Sequence, residues 1–128
     1  MAKQPATIFI VDDEPLLTEM LYDYLVENNP NLSIKSFPTG EACLGSLHEN
    51  PDLVVLDYYL NSREKSAANG LDILKEIKSK NKVLPVIMLS SQKSYGVAAQ
   101  TIGYGAIHYV IKGQDAFQEI HELIKANV

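Results

Sequence analysis

Short runs of apolar, mostly β-branched residues alternate with amphipathic stretches along this chain, and five such runs can be counted. Continuous apolar runs of about four to eight residues are typical of strands that are covered on both faces. A helix-length stretch between two strands is what a parallel crossover requires. The alternation therefore predicts an α/β fold: a doubly wound, five-stranded parallel sheet with helices on both faces.

The predicted elements follow one another without a linker that would divide the chain. The strands are expected at 7–11, 32–37, 53–56, 85–89 and 106–111. The helices are expected at 15–28, over a stretch that includes 42–47, from 70 onward, at about 93–102 and at about 115–126. Asn50 and Pro51 are expected to end the second of these helices. We expect residues 1–6 to be a loose tail, 7–127 a single domain, and the polar stretch 61–69, with Arg63, Glu64 and Lys65, an exposed loop.

Composition excludes several classes of protein. The 46% hydrophobic content excludes wholesale disorder, and the net charge of −5 disfavours direct binding of nucleic acid or an anionic membrane. No apolar run approaches the ~18 residues that a membrane-spanning helix needs. The single cysteine, Cys43, excludes an internal disulfide framework and is predicted to be a small buried residue on a helix. We therefore expect a cytoplasmic protein.

Polar side chains follow four of the five predicted strands where each strand ends. Asp12 and Asp13 close the first strand, Asp57 the third, Ser90 the fourth and Lys112 the fifth. In an open parallel sheet, ligands bind outside the carboxyl ends of the strands. Each residue alone is weak evidence, but their joint placement predicts a functional site.

Three converging carboxylates would raise one another's pKa values, so a hard divalent cation is their natural ligand. Mg²⁺ fits best, because it needs only one or two carboxylates together with a phosphate. An ionised Asp57 can then attack phosphorus to form an acyl phosphate. Ser90 and Lys112 would bind the oxygens of the transferred group. The chemistry predicted is phosphoryl transfer onto the protein itself.

Ordinary structural uses compete with this interpretation. Asp12, Asp13 and Glu14 stand before Pro15, where acidic residues favour the start of a helix. Asp57 is equally compatible with a turn, Ser90 with a helix cap and Lys112 with a solvated surface. Only the coincidence at four strand ends favours the site.

Four segments, in this order and spacing, resemble those of a known family, the receiver domains of two-component response regulators. They are Val11-Asp12-Asp13-Glu14, the apolar strand ending at Asp57, Ser90 after the strand 85–89, and the segment 103–112 ending in Tyr109-Val110-Ile111-Lys112. The resemblance covers nearly the whole chain and implies a flavodoxin-like sheet with strand order 2-1-3-4-5. It also implies that Asp57 is the phosphoacceptor, with a histidine kinase or phosphotransfer protein as the donor.

The same resemblance implies a metal site and a switch. Asp13 would bind Mg²⁺ directly and Asp12 mainly through water, with Asp57 and the backbone carbonyl of Tyr59 completing the site. The hydroxyl of Ser90 would move toward the phosphoryl group.

Tyr109 would turn inward as the aromatic switch, although without the resemblance a tyrosine in a buried strand is more often a core aromatic. The output surface implied is the fourth helix, fifth strand and fifth helix, read by a downstream protein or by an output domain outside these residues. Such a domain is an enzyme only in assisting its own phosphorylation and dephosphorylation. A weak homodimer through the same surface stays open, but no apolar stripe there demands it.

This sequence departs from the family in places that border the site. Gly113 follows Lys112 where the family usually has proline behind a cis peptide, so this peptide is either trans or locally strained. The loop from Asp57 to Gly70 is several residues longer than usual, and Asn61 replaces a frequent proline. We interpret this longer loop as a partner-selecting or shielding segment.

Tyr59 stands two residues after the acceptor, where family members control the access of water. Gln92 is expected as its neighbour across the site. A bulky ring there should obstruct an attacking water, so we predict an acyl phosphate that hydrolyses slowly.

Two other classes of function remain open at this stage. A haloacid-dehalogenase-like phosphohydrolase also uses a strand-end Asp and Mg²⁺, but it needs a second carboxylate two residues later, where this chain has Tyr59. The other is a receiver-like interaction module that does not respond to phosphate, and the intact set of site residues counts against it. Flavin binding is disfavoured, because no phosphate-binding loop follows the first strand.

Overall fold

The computed structural model describes residues 5–60 and 68–128. The strands are β1 (Thr7–Val11), β2 (Ser33–Phe37), β3 (Leu53–Asp57), β4 (Val86–Ser90) and β5 (His108–Ile111). The helices are α1 (Pro15–Asn28), α2 (Gly40–Leu44), α3 (Gly70–Lys80), α4 (Tyr95–Gly103) and α5 (Ala116–Asn127), with a 3₁₀ turn at Leu47–Glu49. The expectations for residues 1–4, for Asn61 and for Arg63, Glu64 and Lys65 lie outside the described residues. None of the described helices is long and apolar enough to cross a membrane.

The five strands form one parallel sheet in the order β2-β1-β3-β4-β5, which confirms the predicted topology. Val11 pairs with Leu56 and Ser90 pairs with Ile111. The carboxyl ends of β1, β3, β4 and β5 are therefore level with one another, and residues that follow them meet at one edge of the sheet.

Two cores cover the two faces of the sheet, and the alternation along β1 separates them. Ile8 and Ile10 pack with residues of α1 and α5, namely Leu21, Leu25, Ile120 and Ile124. Phe9 and Val11 pack on the other face with residues of α2 and α3, namely Cys43, Ile73, Leu74 and Ile77. Side chains of one strand alternate between faces, so β1 is apolar throughout because both of its faces are buried.

The second helix is shorter than predicted. We expected one helix through Leu47, but α2 ends at Leu44 and a separate 3₁₀ turn follows. Gly45 caps α2, and Asn50 closes the 3₁₀ turn in the left-handed region at φ 57°. Glycine and serine have low helix propensity, which explains why the helix breaks at Gly45 and Ser46.

The fifth strand starts two residues later than predicted. The backbone N–H of Ala106 donates to the carbonyl of Thr101, at 3.0 Å, instead of joining the β4 ladder. Gly105 has a φ of +108°, a conformation that glycine adopts without strain. Hydrogen bonding to β4 therefore begins at Ile107, whose N–H donates to the carbonyl of Val86 at 2.9 Å, and the paired strand begins at His108.

Two further sequence predictions concern Cys43 and the amino-terminal residues. Cys43 is fully buried on α2, as expected, and burial raises the pKa of its thiol to about 12. The carbonyl of Ala6 accepts a hydrogen bond from the N–H of Ser33 at 2.8 Å, and its side chain packs against the core. Ordered contacts therefore begin at Ala6, inside the stretch that we expected to be loose.

Candidate functional site

Three aspartates converge at the carboxyl edge of the sheet. Asp12 and Asp13 follow β1 directly, and Asp57 is the last residue of β3. All three are buried, and each offers a carboxylate oxygen within 4.8 Å of those of the other two. The neighbouring parallel strands produce this cluster, since Val11 and Leu56 pair immediately before it. The structure thus brings together the three acidic residues predicted from the strand ends.

Lys112 supplies positive charge to the same cluster. Its Nζ lies 3.4 Å from Asp12 Oδ2 and 3.5 Å from Asp57 Oδ2. Its backbone N–H donates to the carbonyl of Ser90 at 2.7 Å, which fixes the chain where β5 ends. The peptide to Gly113 is trans. With Gly113 after it and a trans peptide, Lys112 still directs its ammonium at Asp57.

Glu14 is a site residue that sequence reasoning missed. Its Oε1 lies 3.4 Å from Lys112 Nζ, although Glu14 is the exposed N-cap residue of α1. Its own N–H donates to Asp12 Oδ1 at 2.8 Å, which links Asp12 to the residue before α1, but the helix start itself has no capping hydrogen bond from the side chain of its N-cap residue. The adjacency of Glu14 to the Asp pair was visible in the sequence, but the reach of Lys112 to it was not.

Burial makes the charge of this cluster costly. The pKa of Asp57 is raised to about 7, first by burial and then by the neighbouring charge of Asp12. Burial likewise raises the pKa of Asp12. Burial opposes the charge on Lys112 too, but Asp57, Asp12 and Glu14 outweigh it and raise the pKa of the ammonium. The local charge remains negative in sum, because one lysine faces several carboxylates.

The residues present fit a hard divalent cation. Asp12 Oδ2 and Asp57 Oδ2 are buried, and no described residue donates a hydrogen bond to either, although both lie near Lys112. Buried carboxylate oxygens without donors are suited to coordinate a cation, and an all-oxygen set is what Mg²⁺ prefers. The N–H of Tyr59 donates to Asp57 Oδ1 at 3.2 Å. That its carbonyl binds the metal stays a prediction.

Ser90, Tyr109 and Tyr59 are joined through Gln92. Ser90 is fully buried at the end of β4, and its Oγ accepts a hydrogen bond from the N–H of Gln92 at 3.1 Å. The hydroxyl of half-buried Tyr109 donates to the carbonyl of Gln92 at 2.7 Å. The hydroxyl of Tyr59 donates to Gln92 Oε1, as expected for neighbours across the site. Ser90 does not cap the next helix, because Ser94 has that role through the N–H of Val97.

A parallel α/β sheet with an acidic cluster and a lysine at its carboxyl edge defines the class of receiver domains. The family model of the response regulator receiver domain matches residues 8–125, so this chain belongs to that family.

Individual relatives agree with this assignment. Transcriptional regulatory protein MalR of Bacillus subtilis is 32% identical over 109 residues, which cover 82% of this chain and 43% of MalR. Two-component response regulator PhoP of Pseudomonas aeruginosa is 28% identical over 120 residues, which cover 93% of this chain and 50% of PhoP. The chain thus spans about half the length of these curated relatives.

Solved structures agree as well. The receiver domain of NtrX from Brucella abortus aligns with a TM-score of 0.79 and 27% identity over 93% of this chain and 96% of that one. The BeF3-activated receiver domain of DrrB aligns with a TM-score of 0.80 and 25% identity over 94% and 95%.

Proposed function

We propose that the chain is the phosphoacceptor domain of a two-component system, with Asp57 as the acceptor and a histidine kinase or phosphotransfer protein as the donor. The observation that carries this proposal is the position of Asp57: it is buried among carboxylates, with Lys112 Nζ 3.5 Å from its Oδ2. Membership of the receiver family supports the same role. Family membership also leads us to propose the cytoplasm as its location.

The transfer step balances without further reactants. A carboxylate oxygen of Asp57 attacks the phosphorus of a phosphohistidine, forming an O–P bond as the P–N bond breaks. The electron pair stays on the imidazole nitrogen, which takes up a proton. The ammonium of Lys112 is placed to bind an oxygen of the transferred group.

Asp12, Asp13 and Asp57, with the backbone carbonyl of Tyr59, would hold Mg²⁺. When bound, the cation supplies positive charge that offsets the repulsion between the carboxylates and the incoming phosphoryl oxygens. Asp57 supplies the nucleophilic oxygen, and its burial keeps bulk water away from the new acyl phosphate.

Ser90 and Tyr109 are proposed to report phosphorylation to the surface of α4, β5 and α5. Ser90 ends β4 beside Asp57, while Tyr109 lies on β5 with its hydroxyl on Gln92, just before α4. New contacts to the phosphoryl group would shift the population toward an active conformation that already exists. A downstream protein, or an output domain outside these residues, would then bind the altered surface.

Incubation with acetyl phosphate and Mg²⁺, followed by intact-mass analysis, tests the acceptor. Wild type should gain the mass of one phosphoryl group, and Asp57→Asn should gain none. Asp23→Asn is the matched control, because Asp23 is an exposed carboxylate on α1 and should leave labelling intact. An adduct that survives Asp57→Asn contradicts the proposal. No adduct on wild type would instead favour a receiver-like interaction module that does not respond to phosphate.

A further inference from the structure

The ammonium of Lys112 lies between the aspartate cluster and Glu14. Its Nζ donates a hydrogen bond to Glu14 Oε1 at 3.4 Å. It lies as close to the cluster, 3.4 Å from Asp12 Oδ2 and 3.5 Å from Asp57 Oδ2, yet neither of these oxygens accepts a hydrogen bond from a described residue. The hydrogen bond of the ammonium is thus directed to Glu14, while the two aspartate oxygens receive its charge alone.

The same two aspartate oxygens are suited to coordinate a divalent cation. Asp12 and Asp57 both belong to the cluster whose carboxylate oxygens lie within 4.8 Å of one another. A carboxylate oxygen that binds an ammonium closely is less available to a metal ion, and the two positive charges repel each other. Lys112 is therefore both a neighbour of the proposed Mg²⁺ site and a competitor for its ligands.

Glu14 differs from the aspartates in its surroundings. Its side chain is 55% exposed, whereas those of Asp12 and Asp57 are 2% and 1% exposed. Its carbonyl accepts hydrogen bonds from the N–H and the hydroxyl of Thr18, each at 3.1 Å, and its N–H donates to Asp12 Oδ1 at 2.8 Å. The backbone of Glu14 is therefore fixed at the start of α1, from where its side chain holds the ammonium on the solvent side of the buried cluster.

We propose that Glu14 is a positioning residue: by binding the ammonium of Lys112, it keeps the buried aspartate oxygens available to a divalent cation. The ammonium has three donors and no acceptor. Without Glu14 it would bind Asp12 Oδ2 and Asp57 Oδ2 instead and oppose the cation. The proposal rests on the proposed function, because it concerns the metal site of that function. Glu14 acts through Lys112 and is not itself a metal ligand here.

Two single substitutions separate this role from a simple loss of charge. Glu14→Ala removes the carboxylate that binds Lys112. The side chain of Glu14 makes no capping hydrogen bond, so the start of α1 should persist in this variant. Glu19→Ala is the matched control, because Glu19 is an exposed glutamate on α1 that lines a surface cavity together with Asp12 and Asp13. This control removes the same charge near the cluster but keeps the bond of Glu14 to Lys112.

A titration of the full chain with Mg²⁺ alone, at constant ionic strength and followed by the amide resonances around the cluster, measures the affinity. Glu14→Ala should bind Mg²⁺ about three- to tenfold more weakly than wild type, the effect expected from one charged hydrogen bond. Glu19→Ala should stay within about 1.5-fold of wild type, because salt screens an exposed charge that acts only through space. Lys112→Met should bind Mg²⁺ about tenfold more tightly, since the competing ammonium is gone.

The sharpest comparison is Glu14→Ala in the Lys112→Met background. If Glu14 acts through Lys112, this second substitution should change the Mg²⁺ affinity there by less than about 1.5-fold. A loss as large as in the wild-type background would overturn the proposal, because Glu14 would then contribute only its charge. Equal losses in Glu14→Ala and Glu19→Ala would overturn it for the same reason.

NMR of ¹³C-labelled lysine gives a second readout that does not depend on the folding of Lys112→Met. The ε-carbon resonance of Lys112 should shift little when wild type is saturated with Mg²⁺, because the ammonium stays on Glu14. In Glu14→Ala it should shift further, because the ammonium leaves the aspartates. Equal shifts in the two proteins would overturn the proposal. A wild type that binds no Mg²⁺ would instead overturn the metal site of the proposed function, so the two failures are distinguishable.

Discussion

At the scale of single residues, Tyr59 contacts both Asp57 and the loop that follows β4. Its backbone N–H donates to Asp57 Oδ1 at 3.2 Å, and the residue is 36% exposed, so it lies at the surface next to Asp57. Its hydroxyl meets Gln92 on the opposite loop. We therefore expect the ring to obstruct the approach of water to Asp57.

We predict that Tyr59→Asn loses phosphate faster than wild type after labelling with acetyl phosphate. The smaller amide opens the approach of water to phosphorus, and the expected increase is roughly threefold to tenfold, corresponding to ~0.7–1.4 kcal/mol in the barrier. The measurement is the decay of the phosphorylated mass after the phosphodonor is removed.

Tyr59→Phe is the control for that experiment. It keeps the ring, so its phosphate should be lost at a rate close to that of wild type. Equal decay in wild type and Tyr59→Asn would show that the ring does not shield the acyl phosphate.

At the scale of elements, the junction of β3 with α3 fixes the position of Asp57. The N–H of Gly70, the first residue of α3, donates to the carbonyl of Tyr58 at 2.8 Å. A Cβ added at Gly70 would lie 2.2 Å from the carbonyl oxygen of Asp57 and 2.6 Å from Cα of Tyr58. Both are backbone atoms, so no side-chain rotation relieves the overlap.

We therefore predict that Gly70→Ala is strongly destabilising. The free energy of unfolding should fall by about 3 kcal/mol or more, since the strand end and the helix start must separate. Urea denaturation followed by circular dichroism measures it. Gly96→Ala in α4 is the control: the nearest atom is 3.9 Å away, and the helix should gain up to about 1 kcal/mol. Similar losses in both variants would contradict the packing argument.

Element type and order could be predicted from the sequence, because buried parallel strands and amphipathic helices have different periods. Element ends could not. The break after Leu44 depends on how Gly45 and Ser46 turn, and the late start of β5 depends on the bond of Ala106 to α4. Such contacts form only once the chain is folded, so propensity does not contain them.

The site divides in the same way. The common location of Asp12, Asp13, Asp57, Ser90 and Lys112 could be predicted, because a parallel sheet brings the carboxyl ends of its strands to one edge. The bond of Glu14 to Lys112 depends on side-chain reach between distant segments, and so does the contact of Gln92 with Tyr109. The position of a strand end is a property of the backbone, whereas these contacts are a property of rotamers.

At the scale of the whole molecule, two apolar cores stabilise the fold, whereas the buried charges at the carboxyl edge of the sheet destabilise it. Both faces of the sheet are covered by buried side chains, and the carboxylates and Lys112 lie at its carboxyl end. The pKa of Asp57 is raised to about 7 by burial and by Asp12 despite the nearby ammonium of Lys112. Removing the negative charge of Asp57 should therefore stabilise the metal-free protein, although it removes the proposed acceptor.

We predict that Asp57→Asn raises the free energy of unfolding of the metal-free protein at neutral pH by about 1–3 kcal/mol, because a neutral amide neither repels Asp12 nor needs a cation. Thermal denaturation in the presence of a chelator measures this change. Asp23→Asn, on the exposed face of α1, should leave the free energy of unfolding within about 0.5 kcal/mol of wild type. A lower melting temperature for Asp57→Asn would mean that its attraction to Lys112 outweighs burial and repulsion.

Mg²⁺ should narrow the difference in stability between wild type and Asp57→Asn. At ten times its dissociation constant, a cation that binds only the folded state stabilises it by about 1.4 kcal/mol. For a domain of this size the melting temperature of wild type should rise by about 3–6 °C. Asp57→Asn should gain much less, because one of its three clustered carboxylates is gone. Potassium chloride at matched ionic strength controls for screening, and equal gains in both proteins would place the cation away from the cluster of Asp12, Asp13 and Asp57.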